Sequence, residues 1–129
     1  MLKKWIDQLI EEFSVEVGPL ASHPGGYRLT LQDGIELDAL EGEGFSLLKA
    51  SIGSPPEKNL EAFFLRTMEA NLFGMGTRGA AIGLDEEEKM LTLSLQVDYN
   101  SSYQDFREKV EDFISVLNFW RRELTNQAA

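Results

Sequence analysis

The chain has 129 residues, 43% of them hydrophobic and none of them cysteine, with 22 acidic side chains against 12 basic ones for a formal net charge of -10. That length predicts one domain spanning residues 1–129 around a single sizeable core, and the composition excludes a wholly disordered chain. The missing cysteines exclude disulfides, thiolate metal sites and thiol nucleophiles, and the negative charge makes nucleic acid and anionic membrane poor partners.

Residues 2–13 place Leu2, Trp5, Ile6, Leu9, Ile10 and Phe13 at helical spacing, with Lys3, Lys4, Asp7, Glu11 and Glu12 on the other side. Two lysines followed by apolar residues open like a secretory signal, but Asp7, Glu11 and Glu12 interrupt the apolar run. No run approaches the length of a membrane span. "VGPLASHPGG" at 17–26, with its prolines and glycines, predicts a loop.

Tyr27, Leu29 and Leu31 then alternate with Arg28 and Thr30, and Ile35, Leu37 and Ala39 alternate with Glu36 and Asp38. Asp33-Gly34 between them is a hairpin signal, because such turns need positive φ. "EGEG" at 41–44 is a second turn and "FSLLKASI" at 45–52 a third strand, which completes a meander. Ser54 as N-cap, Pro55 at the first helical position and Glu57 three residues after the cap predict that a helix starts there and runs to Phe73. Leu60, Phe63, Phe64, Thr67, Met68 and Asn71 form one face of it, and Ala62, Leu65 and Leu72 a second, narrower stripe. One sheet covers only one face, so the second stripe is the candidate dimer interface.

"GMGTRG" at 74–79 matches the G-x-G-x-x-G spacing of dinucleotide sites. In such a site the motif follows a strand and opens a helix, whose N-terminus supplies amide donors and a dipole. Here it follows a helix and precedes the short strand "AAIGL" at 80–84, so the glycines read as a helix cap at Gly74 and a turn shaped by Gly76 and Gly79. After the acidic turn "DEEEK", Leu91, Leu93, Leu95 and Val97 alternate with Thr92, Ser94 and Gln96. The last helix is capped by Ser102 with Asp105, and Tyr103, Phe106, Val110, Phe113, Leu117, Trp120 and Leu124 form its seam.

No constellation carries chemistry. His23 is the only histidine and has no cysteine or second histidine to share a metal. The acidic pairs, including Glu86 to Glu88, lack both a general-acid partner and the alternating oxygen ligands of a calcium loop. No P-loop, H-E-x-x-H or G-x-S-x-G occurs. What remains is apolar surface, carried by eight Phe, two Trp and three Tyr. Trp5, Ile6, Leu9 and Phe13 exceed what a terminal helix at the edge of a five-stranded sheet needs, and the strand Tyr27, Leu29 and Leu31 flanks the same candidate groove.

The order α-β-β-β-α-β-β-α, the size and the acidity resemble the class I chaperones of bacterial type III secretion, the Tir-chaperone family (CesT-like, SycE-like). The closest local match is "LEAFFLRTMEANLFGMGTRGAAIGLDEEEKMLTLSLQVDYNSSYQDFREKVEDFISVLNFW". It has a helix ending in Asn-Leu, a glycine turn, "IGLD", an acidic turn, "LTLSLQV" and a Phe-rich helix ending near Trp. The resemblance covers essentially the whole chain. It implies an α+β fold with a twisted, mainly antiparallel sheet and three helices, and a homodimer formed largely through the second helix and the strand region after it, although some members are heterodimers. It also implies a cytoplasmic bacterial protein, without enzyme activity, cofactor or nucleotide, that binds the unfolded N-terminal segment of a secreted effector. Trp5, Ile6, Leu9, Phe13, Tyr27, Leu29 and Leu31 are then the expected effector contacts, and Ala62, Leu65 and Leu72 the expected dimer contacts. Two other readings stay open on the sequence: a small enzyme or ligand-binding domain with a pocket between sheet and helices, and a dimeric adaptor for a folded partner.

Overall fold

The structure, a computed structural model, describes residues 1–20, 23–31, 34–73, 79–85 and 89–128, with the backbone alone at 72, 73, 127 and 128. In chain order the elements are α1 (Leu2–Glu12), β1 (Glu16–Pro19), β2 (Tyr27–Thr30), β3 (Glu36–Glu41), β4 (Phe45–Gly53), α2 (Leu60–Phe73), β5 (Ala81–Asp85), β6 (Met90–Asp98) and α3 (Tyr103–Ala128). The fold is α+β, with three helices and one six-stranded sheet in the order β1-β2-β3-β4-β6-β5. The pairs β1–β2, β2–β3, β3–β4 and β5–β6 are antiparallel.

Two expectations need correction. The first is that residues 17–26 are all loop. Glu16–Pro19 instead pairs with Tyr27–Thr30, so the sheet has six strands and not five. Proline tolerates this place because the strand is an edge. The Leu20 amide donates to the Gly26 carbonyl at 3.2 Å, so by alternation the nitrogen of Pro19 faces outward, where no ladder donor is required.

The second correction is the start of α2. It begins at Leu60, and the first helical bond runs from the Phe63 amide to the Asn59 carbonyl at 3.0 Å. Ser54 and Pro55 each precede a proline, and the proline ring disfavours the α region for the residue before it. The Ser54 hydroxyl points to the Met90 sulfur at 3.6 Å and caps nothing. Asn59 turns the chain into the helix with φ of 57°, a left-handed geometry that asparagine tolerates.

The other local signals hold where they are described. Gly34 has φ of 74°, as the hairpin turn requires, while Asp33 lies outside the described residues. Gly79 has φ of 87°, but Gly74 and Gly76, the expected cap and turn residues, are outside them too. At α3 the capping box is reciprocal: the Asp105 amide donates to Ser102 Oγ at 3.1 Å, and the Ser102 amide to Asp105 Oδ2 at 3.2 Å.

The chain divides into two compact units, Met1–Ala50 with Gln96–Val110 and Ser51–Leu95 with Glu111–Ala129. The core of the first holds Leu2, Trp5, Ile6 and Leu9 of α1, Leu29, Leu37, Ala39 and Leu48 of the sheet, and Phe106 and Val110 of α3. Trp5 stacks on Phe106 with ring centres 4.8 Å apart and meets Tyr99 edge-on at 5.5 Å. The core of the second holds Phe63, Ile82, Leu91, Leu93, Leu95, Phe113, Val116, Leu117 and Trp120. There Phe63 meets Trp120 edge-on at 6.2 Å. In β4 the buried residues are Ser46, Leu48, Ala50 and Ile52, and in β6 they are Leu91, Leu93, Leu95 and Val97. This period of two marks one buried and one open face.

Ser102→Ala removes one arm of the capping box and should cost about 1 kcal/mol of stability. Urea unfolding followed by circular dichroism checks it, and a variant as stable as the parent would deny the box any energetic role.

Candidate functional site

In the first unit, the residues expected to form a groove divide by burial. Trp5, Ile6 and Leu9 are at most 3% exposed and Leu29 is fully buried, so all four belong to the core. Tyr27 and Leu31 are half-buried. Phe13 is 44% exposed, and Ile10, three residues earlier on the helix, is 42% exposed. Phe13 also terminates α1 in an extended conformation, which leads the chain into β1. An exposed aromatic therefore stands at the entry to an edge strand whose outer side, at Val17 and Pro19, has no neighbouring strand among the described residues.

The ends of α1 and α3 are fixed beside this surface by polar contacts. Arg107 Nη1 donates to Glu12 Oε2 at 3.1 Å. The Tyr99 hydroxyl donates to Glu41 Oε1 at 3.3 Å, and its pKa is pushed up to about 12, first by burial and then by the Glu41 carboxylate. Tyr103 is pushed up to about 12 as well, first by burial and then by Glu12. Its hydroxyl is enclosed without a hydrogen-bond partner, as is the hydroxyl of the fully buried Ser46.

In the second unit, α2 buries Phe63 and Thr67. Arg66 flanks this buried face, its Nη1 2.6 Å from Glu123 Oε2 and its guanidinium 6.0 Å above the Trp120 ring. The opposite side is unpartnered among the described residues: Leu65 is 57% and Met68 65% exposed, and Ala62 is exposed one turn earlier. The side chain of Leu72, the third expected dimer contact, lies outside the described residues. Sequence spacing assigned Met68 to the buried face together with Leu60. Both are exposed, because the helix is docked through the Phe63–Trp120 contact, which turns Met68 away from the core.

Asn71 has a role that spacing missed. Its side-chain nitrogen donates to the Ile82 carbonyl at 2.9 Å and its side-chain oxygen accepts from the Ile82 amide at 2.8 Å. The available signal was a poor helix former inside an otherwise apolar face, since such residues often bond to a neighbouring backbone.

Two depressions, of 330 and 240 Å³, lie in the second unit. One is lined by α3 residues alone, including Arg121 and Arg122, and the other by the 54–58 loop with Leu124. Among the described residues no group of three or more His, Asp or Glu converges as a metal site. No helix among them is long and apolar enough to cross a membrane.

Large apolar residues stand exposed on all three helices, among them Ile10, Leu65, Met68 and Phe119, and such surface suits protein binding. The profile of the Tir chaperone protein (CesT) family matches residues 6–121. The chain belongs to the Tir chaperone family. A Chlamydia pneumoniae protein, CPj0713/CpB0740, is 28% identical over 125 residues, covering 92% of this chain and 95% of that one. A chain in the structure of the HopA1–SchA chaperone–effector complex superposes with a TM-score of 0.70 at 15% identity, over 94% of this chain and 93% of that one. A chain of the heterodimeric ExoU–SpcU complex, from the type III secretion system of Pseudomonas aeruginosa, gives 0.68 at 16% identity over 98% and 97%. At such identities the structural likeness is one of fold. This Tir chaperone therefore shares with those chains the arrangement of its three helices on an antiparallel sheet.

Tyrosine ionisation tests the contact between Tyr99 and Glu41. Unfolded tyrosine ionises near pH 10.0, and the folded protein holds these two protons to about 12. Their contribution to stability is therefore complete below pH 10 and is lost as the pH rises toward 12. Glu41→Gln removes the carboxylate but leaves the burial. Alkaline titration followed by tyrosinate absorbance should then show the Tyr99 component moving to lower pH; an unchanged curve would mean that the carboxylate does not act on this phenol.

Proposed function

We propose that this Tir chaperone binds the unfolded N-terminal segment of one cognate effector in the bacterial cytoplasm, as a homodimer, and keeps it soluble and competent for secretion. Family and fold together support a type III secretion chaperone whose partners are effectors. The proposed mechanism is binding alone, without catalysis, nucleotide or metal. The observation that carries this reading is the exposed Phe13 at the entry to the open edge of β1. An extended client adds backbone hydrogen bonds at such an edge and places an apolar side chain against the aromatic. Ordering the client costs conformational entropy, which favours a large wrapped surface over one deep pocket.

Within the expected groove, Phe13, Tyr27 and Leu31 are proposed to touch the client. Trp5, Ile6, Leu9 and Leu29 are proposed to form the floor that holds those three in place. The second copy is proposed to dock on Ala62, Leu65 and Leu72, with Met68 added. Leu65 and Met68 lie three residues apart and so share one helix face.

Phe13→Asp should abolish co-purification with the N-terminal fragment of the protein encoded by the neighbouring gene, while stability stays within about 0.5 kcal/mol of the parent. Ile6→Asn should lose the client and also more than about 2 kcal/mol, because it places an amide in the core. A stable Phe13→Asp chain that still retains the client would move the groove elsewhere.

Leu65→Asp should convert the dimer to a folded monomer, since an interface buries that charge unpaired. Analytical ultracentrifugation checks it, and a variant that sediments like the parent would remove this helix face from the interface.

A further inference from the structure

Asn71 reaches from α2 to the backbone of β5, and its place on the helix shows what that contact governs. Residues three and four apart on a helix are neighbours. Asn71 follows the buried Thr67 by four positions and the exposed Met68 by three, so it lies on the border between the core side of α2 and the ridge of Leu65 and Met68. Arg66 lies on the opposite border, three positions after the buried Phe63 and four after the exposed Ala62, and is held by Glu123 and the Trp120 ring. A polar side chain therefore ties down each flank of the exposed ridge, one to α3 and the other to β5.

The tie to β5 supports a strand that is weak by itself. It is five residues long and comes last in the order of the described sheet, and Gly83 at its centre has no side chain to pack. Short edge segments with few apolar contacts open most readily. Asn71 holds both backbone groups of Ile82, donating to the carbonyl at 2.9 Å and accepting from the amide at 2.8 Å. A carboxamide carries donor and acceptor side by side, so one side chain serves both groups. Leu84, two residues further along β5, is exposed.

We infer that Asn71 is a positioning residue for the dimer. It orders β5 against α2 before a second copy arrives, so that the partner meets one surface, the ridge of Leu65 and Met68 with β5 and Leu84 beside it. The inference rests on the proposed docking of a second copy on this face of α2. Asn71 acts through Ile82: a segment that must be ordered during association weakens binding, and one ordered beforehand does not.

Hydrogen exchange tests the ordering in the monomer. In the monomeric Leu65→Asp chain the Ile82 amide should exchange about tenfold or more slowly than in Leu65→Asp combined with Asn71→Ala, about the factor that one retained hydrogen bond carries. Equal rates in the two monomers would overturn the inference. With Leu65 intact, Asn71→Ala should raise the dimer Kd about tenfold by analytical ultracentrifugation. The amides of Leu91 and Leu93, which by alternation face β4, should keep their protection in that variant. Lost protection at those two amides would show a support of the whole sheet end rather than of a surface, and would overturn the inference too. If Asn71→Ala does not fold, Asn71→Asp keeps the acceptor and loses the donor, and its Kd decides: a weaker dimer upholds the inference and an unchanged one rejects it. If Leu65→Asp stays dimeric, the docking face is wrong and the inference falls with it. A Leu65→Asp monomer beside an unchanged Kd for Asn71→Ala rejects the role of Asn71 alone.

Discussion

The apolar seam of α3 is the constraint on which the other elements depend. Phe106, Val110, Phe113, Leu117 and Trp120 are all buried, and they contribute to both compact units. Phe106 carries the Trp5 ring in one unit and Trp120 the edge of Phe63 in the other. Each aromatic pair is worth about 0.5–1.5 kcal/mol beyond the area it buries, and it fixes the rotation of the helix that carries the partner. Once those rotations are set, the exposed side of each helix follows. Trp5 inward leaves Phe13 and Ile10 outward, and Phe63 inward leaves Leu65 and Met68 outward. The candidate binding surfaces are consequences of how the core is packed.

Polar contacts around this core orient more than they stabilise. The ion pairs Arg107–Glu12, Arg66–Glu123 and Arg28–Asp38 all involve partly exposed side chains, and pairs of that kind contribute roughly 0–1 kcal/mol. Arg28–Asp38 joins directly opposed residues of β2 and β3 on the open face of the sheet. Arg66 holds the flank of α2 against Trp120, on the side away from Leu65 and Met68. With a net charge of -10, the chain can expose several large apolar side chains and still repel its own copies at long range.

The two ends of the sheet are handled differently. At β1 the strand is four residues long, starts at Glu16 and ends at Pro19, so its edge is short and bounded but has no neighbouring strand among the described residues. At β5 a side chain from α2 occupies the edge directly.

The sequence by itself determined the elements with strong local periodicity and the fold class. The alternation in Leu91–Val97, the seam of α3 and its Ser102–Asp105 cap were all legible, because each depends on contacts within a few residues of chain. The family resemblance was legible for the same reason, as an order of such elements. The edge strand β1 was not, since Gly18 and Pro19 signal a turn and only pairing with Tyr27–Thr30 makes them a strand. The start of α2 lies beyond the capping pattern at Ser54 because two successive prolines keep the residues before them out of the helical region. Which apolar residues of a helix face solvent was decided by tertiary structure alone. Trp5 and Phe13 both fit the spacing of one amphipathic face, and Met68 fits the face of Phe63. Only the rings of Phe106 and Trp120, each more than fifty residues away in the chain, select which of them the core takes in.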